Sequence, residues 1–203
     1  MGILNKLRFK DQAFKLREDA ILDATTRILG SKGFDLMTMD DVAVEVGISK
    51  PSLYKHFKSR EDLVTEAMIR LLDGAQEFWD ELPKEDKPVE KLSALLEWAM
   101  RVRLRGGLPF LPSTSPQVRD TLTKSMRYVA KVFKLNTALS NAVQAAKENG
   151  ELRSDLPDDV ILFSFYSRTC DPAVEYLRIY SKMEEQQIIE TMISAYFQGV
   201  QPA

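Results

Sequence analysis

Between Thr38 and Lys58 the chain gathers hydroxyls, three lysines, a tyrosine and its single histidine in one short run, TMDDVAVEVGISKPSLYKHFK. These side chains suit contact with charged or polar edges better than they suit bond-making. Lysine can donate to guanine O6 and N7, and serine can donate or accept at a base edge. Tyrosine and threonine hydroxyls reach phosphate oxygens. Nucleophilic or metal chemistry would need partners that are absent. There is one histidine, one cysteine (Cys170), no Gly-rich phosphate loop and no paired Cys/His spacing. The expectation is a binding protein rather than an enzyme, without metal or cofactor.

Such contacts work only if two short helices cross steeply and present one of them to a groove. The run has the parts. Thr38 followed by Asp41 is an S/T-x-x-acid start, and Ser59 followed by Asp62 is another. Ala43 is small where the helices meet, and Gly47 can turn the chain in the left-handed region. Ser49 caps the second helix, with Pro51 in its first turn where no N–H is needed. Val42, Val46, Ile48, Leu53 and Phe57 then form the shared core. That leaves Lys50, Pro51, Ser52, Lys55 and His56 outward at the end that would enter a major groove. Lys50 and Lys55 are assigned to base edges. Tyr54, Lys58, the Thr38 hydroxyl and the amides of its helix are assigned to phosphate. The plainer alternatives are a solvated face for the lysines and a core place for Tyr54. A lone histidine is commonly structural.

The stretch FDLMTMDDVAVEVGISKPSLYKHFKSREDLVTEA resembles the TetR-family DNA-binding domain. There a Thr opens helix 2, Ala-x-x-x-Gly-(Val/Ile)-Ser follows, and Leu-Tyr-x-His-Phe ends the reading helix. The resemblance runs from about Ala20 to Ala67. It implies a homodimer on a near-palindromic double-stranded operator, usually a repressor released by a small molecule. It also implies that His56 touches phosphate or a base edge. Further on, ENGELRSDLPDDV resembles that family's connection between its two long C-terminal helices.

The rest of the chain reads as all-α, about nine helices. Apolar positions recur at helical spacing from about Leu16 onward, with no alternating β pattern. A first helix is expected from about Arg17, with Ile21, Ala24, Thr25 and Ile28 on one face, ending at Lys32-Gly33. A fourth, from about Arg60, ends at Leu82-Pro83. A fifth spans about Val89–Arg105 with Leu92, Leu95, Leu96 and Ala99 inward. Pro109, Pro112 and Pro116 forbid a long helix in LPFLPSTSPQ. One long helix is expected from about Gln117 to Asn149, with Leu122, Met126, Val129 and Phe133 on its inner stripe. Two more cover about 157–180, broken near Asp171-Pro172, and 184–199. The division expected is 1–62 for an N-terminal arm and the helix-turn-helix. Residues 63–203 form an effector-binding and dimerisation domain, with the fourth helix bridging to about 82.

In that second part the last helix pairs Ile188/Ile189, Met192/Ile193 and Tyr196/Phe197, wider than one partner requires. The stripe suits a four-helix bundle across a two-fold axis or a fully buried core of one subunit. The first is the expectation, with Ile189, Ile193, Tyr196 and Phe197 at the interface. Walls of a sensing pocket are sought in Trp98, Val102, Leu108, Phe110 and Met126. Tyr128, Phe133, Phe163, Tyr166 and Cys170 complete it, a lining for a small, largely apolar effector. Cys170 itself reads as an inert small hydrophobe.

Charge agrees with a chain that meets phosphate at one end. Residues 1–60 carry a net +3 and the remainder a net −5. A basic arm, Lys6, Arg8 and Lys10, would add phosphate or minor-groove contacts. No apolar run approaches the ~20 residues of a membrane span, and Lys6 stands where a myristoylation start wants Ser or Thr. A cytoplasmic location without membrane contact is expected. The function expected is a sequence-specific transcriptional repressor, or a DNA-binding regulator that senses no small molecule and acts through a protein partner or as an activator.

Overall fold

The structure, a computed structural model, describes residues 2–108 and 116–202, with side chains described from residue 11 onward. The side chains of Lys6, Arg8 and Lys10 and all of Phe110 lie outside the described residues. Among the described residues there are ten helices and no strand. They are α1 (Gly2–Leu36), α2 (Met39–Val46), α3 (Lys50–Leu53), α4 (Arg60–Glu81) and α5 (Pro88–Leu104). After these come α6 (Pro116–Thr123), α7 (Met126–Glu148), α8 (Asp158–Thr169), α9 (Ala173–Tyr180) and α10 (Glu185–Val200). They form two compact units, Met1–Ala67 and Met68–Ala203, and α4 begins in the first and ends in the second.

In the first unit α1 is broken at Gly33, whose φ of 76° and ψ of 171° end the regular turns where the sequence places the stop. Its start differs. The helix opens some turns before Arg17 because residues 11–20 contain neither Gly nor Pro and are rich in good helix formers. Ile21, Ala24, Thr25 and Ile28 are buried, as are Val42, Ala43, Leu53 and Phe57, and α1 packs on α2. Arg60, the first residue of α4, lies 4.3 Å over the Phe34 ring. Its guanidinium donates to the carbonyls of Phe34 and Met37, both at 3.4 Å. Those carbonyls lie at the end of α1 and just past it, where the regular helical donors run out.

The second unit is built around α5, which packs on α7, α8 and α10. Leu92, Leu95, Leu96 and Ala99 are buried as their spacing implies. Each such leucine contributes roughly 1.5–3 kcal/mol by leaving water. The long helix expected after Pro116 is two helices, α6 and α7, and this is the tenth element. Ser125 interrupts them, and its hydroxyl accepts the Tyr128 N–H at 3.3 Å to cap α7. The break rotates the inner face. Leu135, Leu139, Val143 and Ala146 are buried, whereas Met126 and Phe133 are 78% and 72% exposed and Val129 is also exposed. Met126 and Phe133 are therefore not pocket walls. Phe163 is not one either, at 64% exposed on the outer side of α8. The break at Asp171-Pro172 separates α8 from α9 as proline dictates.

Three of the four residues expected at the interface are buried within one subunit. Ile189, Tyr196 and Phe197 belong to the interior of a single subunit, and Ile193 packs partly buried against that core. The Tyr196 hydroxyl donates to the Ile161 carbonyl at 2.9 Å, tying α10 to α8. Burial pushes this phenol well above its ordinary range. The second apolar half of α10 is satisfied inside the subunit because α5, α8 and α9 surround it.

Candidate nucleic-acid interface

α2 starts in a complete capping box. Thr38, extended at φ −120° and ψ 159°, accepts the Asp41 N–H at 3.1 Å, while the Asp41 carboxylate accepts the Thr38 N–H at 3.0 Å. The Thr38 hydroxyl also donates to Asp41 at 2.8 Å. Lys32 reaches the same carboxylate at 2.7 Å. The Lys32 contact, then the two from Thr38, hold the Asp41 carboxyl down at about 2. A phosphate taking the Thr38 hydroxyl proton would have to draw it away from Asp41. The α2 amides remain the simpler donors there.

Gly47 closes α2 in the left-handed region at φ 73°, and its N–H returns to the Ala43 and Val44 carbonyls. Ser49 caps α3, with its hydroxyl accepting the Ser52 N–H at 3.4 Å. α3 proper has four residues, shorter than the run to Phe57 that the sequence suggests. Past Leu53 the chain tightens into three-residue turns, Lys55 N–H to Ser52 at 3.2 Å and His56 N–H to Leu53 at 3.0 Å. Leu53 and Phe57 are buried and hold this turn to the core.

Thr38, Lys50, Pro51, Tyr54, Lys55 and Lys58 are exposed and Ser52 is half-buried. Lys50 is paired with Asp40 of α2 at 2.8 Å, and that hydrogen bond holds its ammonium above the ordinary lysine range. Both partners are open to water, so the pair is weak and a phosphate can displace the aspartate. Lys55 and Lys58 form no ion pair among the described residues. His56 departs from expectation. Its side chain is 3% exposed, its ring stacks on Phe14 of α1 at 4.1 Å, and its Nδ1 lies 3.6 Å from the Glu18 carboxylate. The imidazole faces inward and not out with the lysines, because the turn after Leu53 brings position 56 round to α1. Phe14 was not legible as a partner. Its only signal was an aromatic residue one helical turn before Glu18, outside the run with the family landmarks.

In the second unit the remaining pocket candidates, Trp98, Val102, Leu108, Tyr128, Tyr166 and Cys170, are partly or fully buried. Trp98 stacks on Phe78 at 5.6 Å. The Tyr166 hydroxyl donates to Asn136 at 3.4 Å, and burial pushes its phenol up to about 12. Burial likewise raises the Tyr128 phenol and the Cys170 thiol. A thiol raised in this way is not a ready thiolate. Among the described residues no cluster of His, Cys, Asp and Glu could hold a metal ion.

Residues 21–67 match the family model described as bacterial regulatory proteins, tetR family. The first unit thus carries a TetR-family helix-turn-helix domain. The chain is 34% identical over 80 residues to the HTH-type transcriptional repressor KstR2 of Mycolicibacterium smegmatis, a stretch covering 39% of each chain. It is 35% identical over 82 residues to the HTH-type transcriptional regulator BetI of Agrobacterium fabrum, 40% of each. The matches therefore span about two-fifths of these relatives' own length. The fold as a whole resembles the ketosteroid transcriptional regulator KstR2 of Mycobacterium tuberculosis. There the TM-score is 0.70 at 18% identity, over 92% of this chain and 96% of that one.

Proposed function

We propose that this chain is a sequence-specific DNA-binding transcription regulator, a repressor that binds a near-palindromic operator as a homodimer and is released by a small, largely apolar effector. The observation that carries the DNA reading is the capped α2–Gly47–α3 unit, which leaves Lys50, Pro51, Tyr54, Lys55 and Lys58 exposed on a buried footing. Lys55 reads a base edge, and Tyr54 and Lys58 hold phosphate. Trp98, Val102, Leu108, Tyr128, Tyr166 and Cys170 line the effector site, an apolar wall with two phenols. The relatives' names, repressor and regulator, support the regulatory role.

The test begins by selecting duplexes from genomic fragments with the purified protein. Affinity is then measured by fluorescence anisotropy on a selected and a scrambled duplex at one fixed salt. Lys55→Ala removes one base contact, worth about 1–3 kcal/mol at the cognate site and little at random DNA. The ratio of specific to non-specific affinity should shrink. Tyr54→Phe should lower both affinities. If Lys55→Ala leaves the ratio unchanged, Lys55 is a backbone clamp. If no duplex is enriched at all, the DNA reading fails.

A further inference from the structure

The matched family domain begins at residue 21, yet the reading turn is held by side chains before it. His56 is almost wholly buried, with Phe14 stacked on its face at 4.1 Å and an interplanar angle of 28°. Its Nδ1 has no hydrogen-bond partner and faces the Glu18 carboxylate at 3.6 Å. The turn needs this support. Four residues of α3 cannot persist by their own hydrogen bonds, and beyond Leu53 come two three-residue turns and one helical bond, from the Phe57 N–H to the Leu53 carbonyl at 3.0 Å. Along Leu53–Lys58 the anchored positions are Leu53, His56 and Phe57, while Tyr54, Lys55 and Lys58 are exposed between them. Leu53 and Phe57 anchor the turn to the core. His56 joins it to the early part of α1, at Phe14 and Glu18.

We infer that the part of α1 upstream of the family domain is a working part of the DNA-reading unit: Phe14 and Glu18 form a seat for His56, and through it they position Tyr54, Lys55 and Lys58. Phe14 and His56 are positioning residues, and neither is assigned a DNA contact. The inference rests on the DNA reading proposed above, and its first test needs no DNA.

That test is backbone hydrogen exchange of the full chain followed by mass spectrometry, comparing wild type, Phe14→Ala and Phe14→Tyr. Phe14 is 46% exposed, so truncating it leaves Ile21 and Ala24 in their core. Losing an aromatic pair should speed exchange at residues 54–58 by about threefold to tenfold in Phe14→Ala. Residues 63–67 should exchange as in wild type, and Phe14→Tyr, which keeps the stack, should restore protection. The second test uses the duplexes selected by wild type. Phe14→Ala should lower the ratio of selected to scrambled affinity by a similar factor, and Phe14→Tyr should recover it. Unchanged exchange at 54–58 in Phe14→Ala overturns the seat, as does exchange that rises equally throughout the first unit. If exchange rises as expected but the affinity ratio stays put, the seat is structural only and the positioning role is wrong. Failure of wild type to enrich any duplex would sink the DNA reading and leave the exchange result standing on its own.

Discussion

At the residue scale, Asp41 shows how a surface carboxylate becomes part of a fold. It accepts from Lys32 and from both polar groups of Thr38, and its carboxyl sits at about 2 against an ordinary 3.8. The folded carboxyl therefore binds a proton less readily than the unfolded one. Its contribution is fully present above the ordinary value and is lost as pH falls through about 2. Asp41→Asn keeps a capping acceptor but removes the proton linkage. The melting temperature of the wild type should fall more steeply between pH 4 and pH 2 than that of Asp41→Asn. Parallel curves would mean that other carboxylates carry the acid sensitivity. Gly47 illustrates the opposite case, a position chosen for its backbone. At φ 73° it stands where L side chains are strained, although a Cβ there would meet nothing within 4 Å.

At the element scale, the break between α6 and α7 decides which residues of a long amphipathic stretch face inward. Ser125 stops the first helix, at φ −88° and ψ 107°, and caps the second. Without that offset Met126, Val129 and Phe133 would continue the stripe of Leu122. With it Leu135, Leu139 and Val143 do the packing. Ser125→Ala should cost about 1 kcal/mol of unfolding free energy, as loss of a hydroxyl cap does, measured by urea denaturation. Ser125→Asp, which restores an acceptor at a helix N-terminus, should recover most of it. A cost near zero for Ser125→Ala would mean that packing alone sets the break.

At the scale of the whole molecule, the proposed dimer must use surface that one subunit leaves open. Ile189, Tyr196 and Phe197 are already buried within it. The open apolar positions of α8 are Val160 and Phe163, and on the outer side of α10 stand Thr191, Ala195 and Gln198. α8 and α10 are tied at Tyr196 and Ile161, so the dimer is placed on their shared outer face. Phe163→Lys leaves the core untouched and adds a charge at the two-fold contact. It should give monomers by light scattering, with a melting temperature within a few degrees of the wild type's own subunit. Were Phe163→Lys still dimeric, the interface would lie on another face, such as that of the exposed Tyr176, Ile179 and Tyr180 of α9.

The amino-acid order alone determined what depends on neighbours along the chain. The Thr38 and Ser49 caps, the Gly33 and Gly47 stops, the proline break at Pro172 and the buried stripe of α5 all follow from local hydrogen bonding, backbone sterics and 3.6-residue periodicity. The landmarks of the helix-turn-helix were legible for the same reason, since that motif is almost wholly local. Tertiary structure decided which apolar residues are inside, because an over-apolar helix satisfies either a neighbour or a second subunit, and its sequence is the same in both cases. So Tyr196 and Phe197 went inward, while Phe133 and Phe163 stayed out. It also decided the fate of His56. An imidazole is polar enough for a groove and flat enough for a stack, and only the packing of α1 beside the turn put it against Phe14.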